Sequence, residues 1–208
     1  LSGATGESIT FESSGTTGQN VSKHVVSDTK IYEKSFLKGF EMFYGKPDQY
    51  TFLALLPSYL ERSSSSLVYM VNGLMNNSGR AEKGFHLYDH EALFLKIKEL
   101  EANKKPSIVF GVSFALTDFF EKFQMDLKYT IIIETGGMKG RKKEIIKDEL
   151  HNFIKKRSGL PAVHSEYGMT ELLSQAWSKA GNRYFTPPWM KILIRDPNDP
   201  FDLIPEGK

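Results

Sequence analysis

PSIVFGVS, residues 106–113, is the stretch from which the fold can be read. Ile108, Val109, Phe110 and Val112 follow one another without polar alternation, so the segment reads as a strand with no solvent face. Two further runs read the same way: TFLALLP at 51–57, stopped by proline, and YTIIIETGG at 129–137, ending in two glycines. Between these runs the spacing turns helical. Asp28 is an N-cap for a helix over 29–44, with Phe36, Phe40 and Phe43 on one face. Ser63–Ser66 open a helix over Leu67–Met75 that stops at Asn76–Gly79. GFHLY at 84–88 is a short strand, and Asp89 caps a helix to about Asn103 with Leu93, Ile97 and Leu100 inside. Another helix follows residue 113, to about Phe123.

A basic amphipathic helix is expected over Lys142–Arg157, with Ile145, Ile146, Leu150 and Phe153 or Ile154 inward, ended by Gly159 and Pro161. PAVHSEYGMTELLSQAW, from 161, reads as a short strand leading through a glycine into a helix start. Met190–Ile194 reads as one more strand, and ESITF at 7–11 as a strand entering a Ser/Thr/Gly loop. Strands alternating with helices give an α/β class: a layered, mixed and largely parallel sheet flanked by helices. The expected organisation is a single core over 1–208, which starts at Leu1 and ends in LIPEGK as a piece of something longer.

The apolar fraction of 40% and charged fraction of 25% are ordinary for a globular protein, and the formal charge is +2. Lys and Arg are scattered among Asp and Glu rather than gathered on a basic face, so no nucleic-acid partner is expected. Lys139, Arg141, Lys142 and Lys143 are the one cluster, followed at once by Glu144. The absence of cysteine removes disulfides, thiolate metal sites and a cysteine nucleophile from this chain. No apolar run is long enough to span a membrane, and no signal peptide is seen, so a cytoplasmic location is expected.

In parallel sheets ligands collect beyond the carboxyl ends of the strands. Three loops of that kind are Ser13–Gly18, Glu134–Gly137 and Ser165–Glu171. In FESSGTTGQNVSKH, 11–24, glycines 15 and 18 allow tight turns that aim N–H groups inward, and Ser13, Ser14, Thr16 and Thr17 add donors. That composition suits phosphate oxygens; it equally suits a plain surface loop. Lys23 follows, although the spacing is not that of a GxxxxGK[ST] loop. Tyr167, Gly168, Thr170 and Glu171 crowd one turn, where a ring can lie on a planar group, a hydroxyl can meet an anion and a carboxylate can hold a divalent cation. The alternative is a helix cap. Gly136 and Gly137 allow a close backbone approach or simply a turn. His24, His86, His90, His151 and His164 show no metal spacing, and no GxSxG marks a serine hydrolase.

SSGTTG at 13–18 and YGMTE at 167–171 resemble, in order, the two signatures of the adenylate-forming superfamily. ESSGTTGQNVSKH, ETGGMKGRKKE and HSEYGMTELLSQAW resemble more closely its acyl-protein synthetase (LuxE-like) branch. The resemblance implies the central part of an N-terminal domain. It implies ATP phosphates on Ser14, Gly15, Thr16, Thr17 and Gly18, with Lys23 as the loop's displaced lysine. Adenine would lie on Tyr167 against Gly136 and Gly137, with Gly168 beside it, Thr170 at the α-phosphate and Glu171 on Mg²⁺. The implied activity is ATP-dependent activation of a carboxylic acid, such as a long-chain fatty acid, to an acyl adenylate. Transfer follows to a thiol of a protein, a carrier or coenzyme A, with a reductase as partner. A phenylacetate- or aryl-CoA-ligase-like enzyme and an inactive nucleotide-binding module are the alternatives. The ribose-binding aspartate, the hinge, the lysine-bearing lid and the acceptor cysteine of that branch have no counterpart in these residues.

Overall fold

A computed structural model describes residues 8–13, 21–58, 60–136, 146–199 and 201–204. Six strands form the main sheet in the order β4-β3-β5-β6-β7-β8. They are β3 (Thr51–Leu55), β4 (Gly84–Phe85), β5 (Ser107–Val112), β6 (Thr130–Thr135), β7 (His164–Tyr167) and β8 (Ala176–Ser178). All neighbours are parallel except β7 and β8. Every residue of β3 and β5 is buried, as strands without a polar face require. The expected layered, largely parallel α/β fold is what the chain adopts.

Five helices link and cover these strands: α1 (Thr29–Tyr44), α2 (Ser66–Ser78), α3 (His90–Ala102), α4 (Ser113–Lys122) and α5 (Lys147–Ser158). Asp28, Ser65 and Asp89 cap α1, α2 and α3 through their side chains, and Gly79 and Gly159 end α2 and α5 in the left-handed conformation. Right-handed crossovers send α2 to one face and α3, α4 and α5 to the other. Side-chain contacts agree. Phe94 of α3 stacks on Phe123 just beyond α4, and the Arg157 guanidinium of α5 donates to the Phe120 and Glu121 carbonyls of α4. On the opposite face α1 buries Tyr32, Phe36, Phe40 and Tyr44, one ridge at four-residue spacing. Phe40 meets Phe52 of β3 and Trp177 of β8, and Tyr44 meets His164 of β7.

Several expectations are corrected. The first strand, β1 (Ile9–Glu12), does not join the main sheet; it pairs antiparallel with β2 (Lys23–Val26) in a separate hairpin. Lys23 therefore lies on a strand rather than leading directly into a helix. No helix follows Gly168, because β8 pairs antiparallel with β7 and the chain must reverse within residues 168–175. Met190–Ile194 is not a strand. Phe185 already bridges to Trp177 on the outer side of β8, and Ile192, Leu193 and Ile194 are left exposed. The strand at 84–88 shrinks to Gly84–Phe85, and the regular turns of α5 begin at Lys147, with Ile146 exposed instead of inward. Leu150 and Ile154 do face inward, whereas Ile145 lies outside the described residues.

The contact between α1 and α2 depends on Gly73, where an added Cβ would stand 2.5 Å from Phe36 Cζ. We expect Gly73→Ala to lower stability by about 1 kcal/mol, overpacking outweighing the better helix propensity of alanine. Chemical denaturation checks this, and Phe36→Leu in the same background should recover part of the loss.

Candidate functional site

Beyond the carboxyl ends of β6 and β7 lies a cavity of about 500 Å³. Glu12 and Ser13 of the hairpin form one wall; Gly136, after β6, and Glu166–Glu171, at the end of β7, form another. Arg62, Ser65, Ser66 and Leu67, at the N-terminal end of α2, complete it with Tyr32 and Gln175. Described residues of all three loops singled out from sequence thus line this cavity: Ser13, Gly136 and Tyr167–Glu171. A larger cleft of about 630 Å³ runs along α1 among Lys30, Lys34, Lys38 and Glu41, but none of the predicted residues that are described lines it.

The hairpin is attached by its one fully buried ring. Phe11 packs edge-on against Tyr32 and Tyr69, at 5.6 and 5.5 Å between centroids, and Glu12 N–H donates to the Ser64 carbonyl. Ser13 N–H donates to the Ser22 carbonyl and Ser13 Oγ accepts from Ser22 N–H, closing the hairpin at the foot of its loop. Ser14, Gly15, Thr16, Thr17 and Gly18 lie outside the described residues, as do Gly137, Lys139 and Arg141. Their described neighbours Ser13 and Gly136 both line the cavity. Lys23 does not line it; it pairs with Glu12 at 3.5 Å on the exposed side of the hairpin.

Tyr167 is 44% exposed and its ring lies 6.0 Å, edge-on, from that of Tyr184, which Lys147 contacts through both ring and hydroxyl. Leu172 N–H donates to the Met169 carbonyl, so Thr170 and Glu171 are the central pair of a β-turn rather than a helix cap. Glu171 is exposed at the cavity rim. Gly136 has φ +68°, and among the described residues an added Cβ would meet nothing within 4 Å. The Ser113 hydroxyl lies within reach of the Gly136 carbonyl and, at 2.6 Å, of Glu134 Oε1.

The donor types suit ATP and Mg²⁺ in part: an exposed ring, the backbone of Gly136 and a carboxylate at the rim. Among the described residues no group of three or more acidic or histidine side chains stands ready for a metal. Mg²⁺ commonly takes one or two carboxylates and completes its shell with phosphate oxygens and water, so a single glutamate is compatible.

Sequence reasoning passed over Arg62, Tyr32, Gln175 and Glu166. Glu166 is the most consequential. It is 8% exposed and no hydrogen-bond partner meets it among the described residues. Glu134, also buried, is served by Ser113 and lies 3.9 Å from His151 Nε2. Burial first, and the Glu134 charge second, push the Glu166 carboxyl up to about 8. Burial also raises the Tyr32 and Tyr44 phenols, and holds His164 down at about 4 with help from Lys179 and His151. The signal in sequence was a glutamate placed directly before YGMTE, on a strand with no lysine or arginine to pair it.

No family model matches the chain, and no curated protein does. Its fold does match solved structures. One is the O-succinylbenzoate coenzyme A synthetase MenE of Bacillus subtilis, in complex with ATP and magnesium ion; the TM-score is 0.55 at 19% identity, covering 82% of this chain and 32% of that one. Another is a mutant form of coronafacic acid ligase from Pectobacterium brasiliense, with a TM-score of 0.52 at 15% identity, covering 72% of this chain and 29% of that one. The chain therefore spans about a third of the length of the enzymes it matches. The likeness is one of fold: the sheet and helices of this chain match a part of each of these enzymes.

Between the ordinary carboxyl value of 4.5 and about 8, the folded protein holds a proton on Glu166 that the unfolded chain has lost. Stability from this residue therefore falls as pH rises through that window. His164 acts oppositely between about 4 and 6.5, where rising pH adds stability. In denaturation curves measured against pH, Glu166→Gln should lose the fall toward pH 8 while keeping the rise due to His164.

Proposed function

We propose that the protein activates a carboxylic acid with ATP. A carboxylate oxygen attacks the α-phosphorus, the bond to the β-phosphate oxygen breaks, and acyl adenylate and pyrophosphate result. The observation that carries this reading is the single cavity shared by Ser13, Gly136, Tyr167, Gly168, Thr170 and Glu171. These residues come from three separate places in the chain, each beside or within a segment resembling the adenylate-forming signatures. The matched fold supports the same reading.

In this proposal the adenine lies on the Tyr167 ring, with the Gly136–Gly137 backbone and Gly168 alongside. Ser14, Gly15, Thr16, Thr17 and Gly18 hold the phosphates with their N–H and hydroxyl donors. Thr170 donates to an α-phosphate oxygen and Glu171 holds Mg²⁺, which when bound offsets phosphate charge. Lys23 is assigned to the phosphates too. Its exposed pairing with Glu12 is weak enough to give way. Catalysis is then positioning and charge stabilisation, without a protein nucleophile.

The acyl group passes next to a thiol, for which two readings are held. Coenzyme A is favoured by the match to a coenzyme A synthetase, with a small or aryl acid as substrate. The acyl-protein synthetase reading, with a long-chain fatty acid, a protein or carrier cysteine and a reductase partner, rests on the extended resemblance around ESSGTTGQNVSKH and HSEYGMTELLSQAW. No helix among the described residues is long and apolar enough to cross a membrane, and a cytoplasmic setting is part of the proposal.

Carboxylate-dependent exchange of pyrophosphate into ATP tests the reaction, with phenylacetate and tetradecanoate as the discriminating pair. Glu171→Ala should lower exchange by about a hundredfold or more; unchanged exchange with ordinary Mg²⁺ dependence would sink the metal role. Tyr167→Ala should raise the KM for ATP by about tenfold, the worth of one base–ring stack, and leave the KM for the acid nearly unaltered.

A further inference from the structure

Three buried polar side chains stand in a row across the carboxyl end of the sheet. Thr135 of β6 is in register with Glu166 of β7, and Glu166 with Trp177 of β8. Residues paired in this way present their side chains on the same face, with Cβ atoms about 5 Å apart. That face is the one α1 covers, since Trp177 packs against Phe40 and Tyr44. Among the described residues Thr135 Oγ1 and Trp177 Nε1 are sealed off without a hydrogen-bond partner, and the Glu166 carboxyl, which opens on the cavity, has none there either. Buried polar groups are nearly always satisfied, so an unpartnered carboxyl that lines a cavity is a group a ligand there can complete.

Of the three, Glu166 opens on the cavity. It lines the wall, and a Cβ added at Gly168 would stand 2.6 Å from its Oε1, so the oxygen lies close against the glycine backbone where a side chain would collide with it. The groups around it are already engaged. Tyr32 donates to the Ser66 carbonyl at 3.1 Å and accepts from the Gln175 amide at 3.2 Å.

We propose that Glu166 is the residue that reads the polar head of the acid substrate: as a neutral carboxyl it donates a hydrogen bond to a carboxylate oxygen of an acid held in the cavity. This rests on the reading of the cavity as a carboxylic-acid activating site. It adds the group that recognises the acid and the protonation state in which it does so.

The charges facing Glu166 decide the direction. From α1 come the phenols Tyr32 and Tyr44, both held neutral by burial; from β6 comes Glu134, backed by His151 of α5; from β8 comes the uncharged Trp177. Across the cavity stand Arg62, Glu12 and Glu171, and no ion pair joins Arg62 to Glu166. With another carboxylate as its charged neighbour, Glu166 keeps its proton near neutral pH. A proton so held must be donated, and the fitting occupant is an acceptor. An anionic acid is drawn toward Arg62 and the N-terminal end of α2, which carries partial positive charge. Once Glu166 ionises, the same acid is repelled.

Binding of tetradecanoate and of phenylacetate, measured by calorimetry without nucleotide, tests this on wild type, Glu166→Gln and Glu166→Leu, below and above the titration near pH 8. At least one acid should bind wild type at the lower pH and weaken about tenfold or more at the higher. Glu166→Gln, which donates but cannot ionise, should hold its affinity across both. Glu166→Leu should bind about tenfold more weakly at the lower pH. An infrared band of a protonated carboxyl should be present in wild type at neutral pH, absent in Glu166→Gln, and shifted by the acid. No binding of either acid, affinity rising with pH, or identical pH profiles for wild type and Glu166→Gln would each overturn the proposal. Full affinity in a folded Glu166→Leu would do the same. Because nucleotide is absent, acid binding of the expected pattern in a protein that fails to bind Mg²⁺–ATP would sustain Glu166 while overturning adenylation.

Discussion

The aromatic ridge of α1 is the contact on which the rest of the molecule depends. Tyr32, Phe36, Phe40 and Tyr44 lie on one stripe, and that stripe crosses the sheet from β3 to β8. Phe40 alone touches rings on both sides of the sheet's middle, Phe52 and Trp177. Each large ring removes on the order of 150–250 Å² from water, so a ridge of this kind outweighs the propensity of any one strand beneath it. Its N-terminal member, Tyr32, does a second task. It receives Phe11 from the hairpin and anchors Gln175 after β7, so two walls of the cavity hang from one side chain.

The same ridge explains why polar groups are tolerated so deep. Parallel strands covered on both faces leave no room for charge, yet Glu134 and Glu166 sit on adjacent strands near their ends. They are served unequally. Glu134 accepts from Ser113 and faces His151 on the side of α4 and α5, whereas Glu166 turns toward α1 and finds no donor among the described residues. Two buried carboxyls in one electrostatic neighbourhood cannot both ionise cheaply, and the one without donors keeps the proton. The asymmetry comes from strand alternation: residues in successive positions point to opposite helix layers.

Where the hydrophobic pattern was unbroken, the sequence was a good guide. The runs at 51–57, 106–113 and 129–137 are central strands, and α1, α2 and α3 begin at the caps read from Asp28, Ser65 and Asp89. The three site loops were legible from glycine and hydroxyl content, and the described parts of all three reach one cavity. What was not legible turned on pairing between distant segments. Nothing local in residues 7–12 says that they join residues 23–26 instead of the sheet, and YGMTELL has a helical look that the return of β8 overrides. Met190–Ile194 has strand composition without a free neighbour, since Phe185 takes the edge of β8. Glu166 escaped notice because its importance lies in what is missing around it.

The hairpin β1–β2 has a thermodynamic character of its own. Two strands alone are marginal in water, and here they are fastened chiefly by Phe11, by Val26 and by one backbone bond to Ser64. Among the described residues the six-stranded sheet has no bridge to them. With so few described attachments, the hairpin is expected to open locally at a lower cost than global unfolding. Detachment would carry away the wall formed by Glu12 and Ser13 while leaving Gly136, Glu166 and Tyr167 in place on the sheet. The cost of opening that wall would be set by Phe11, Val26 and the Ser64 bond together, not by the sheet.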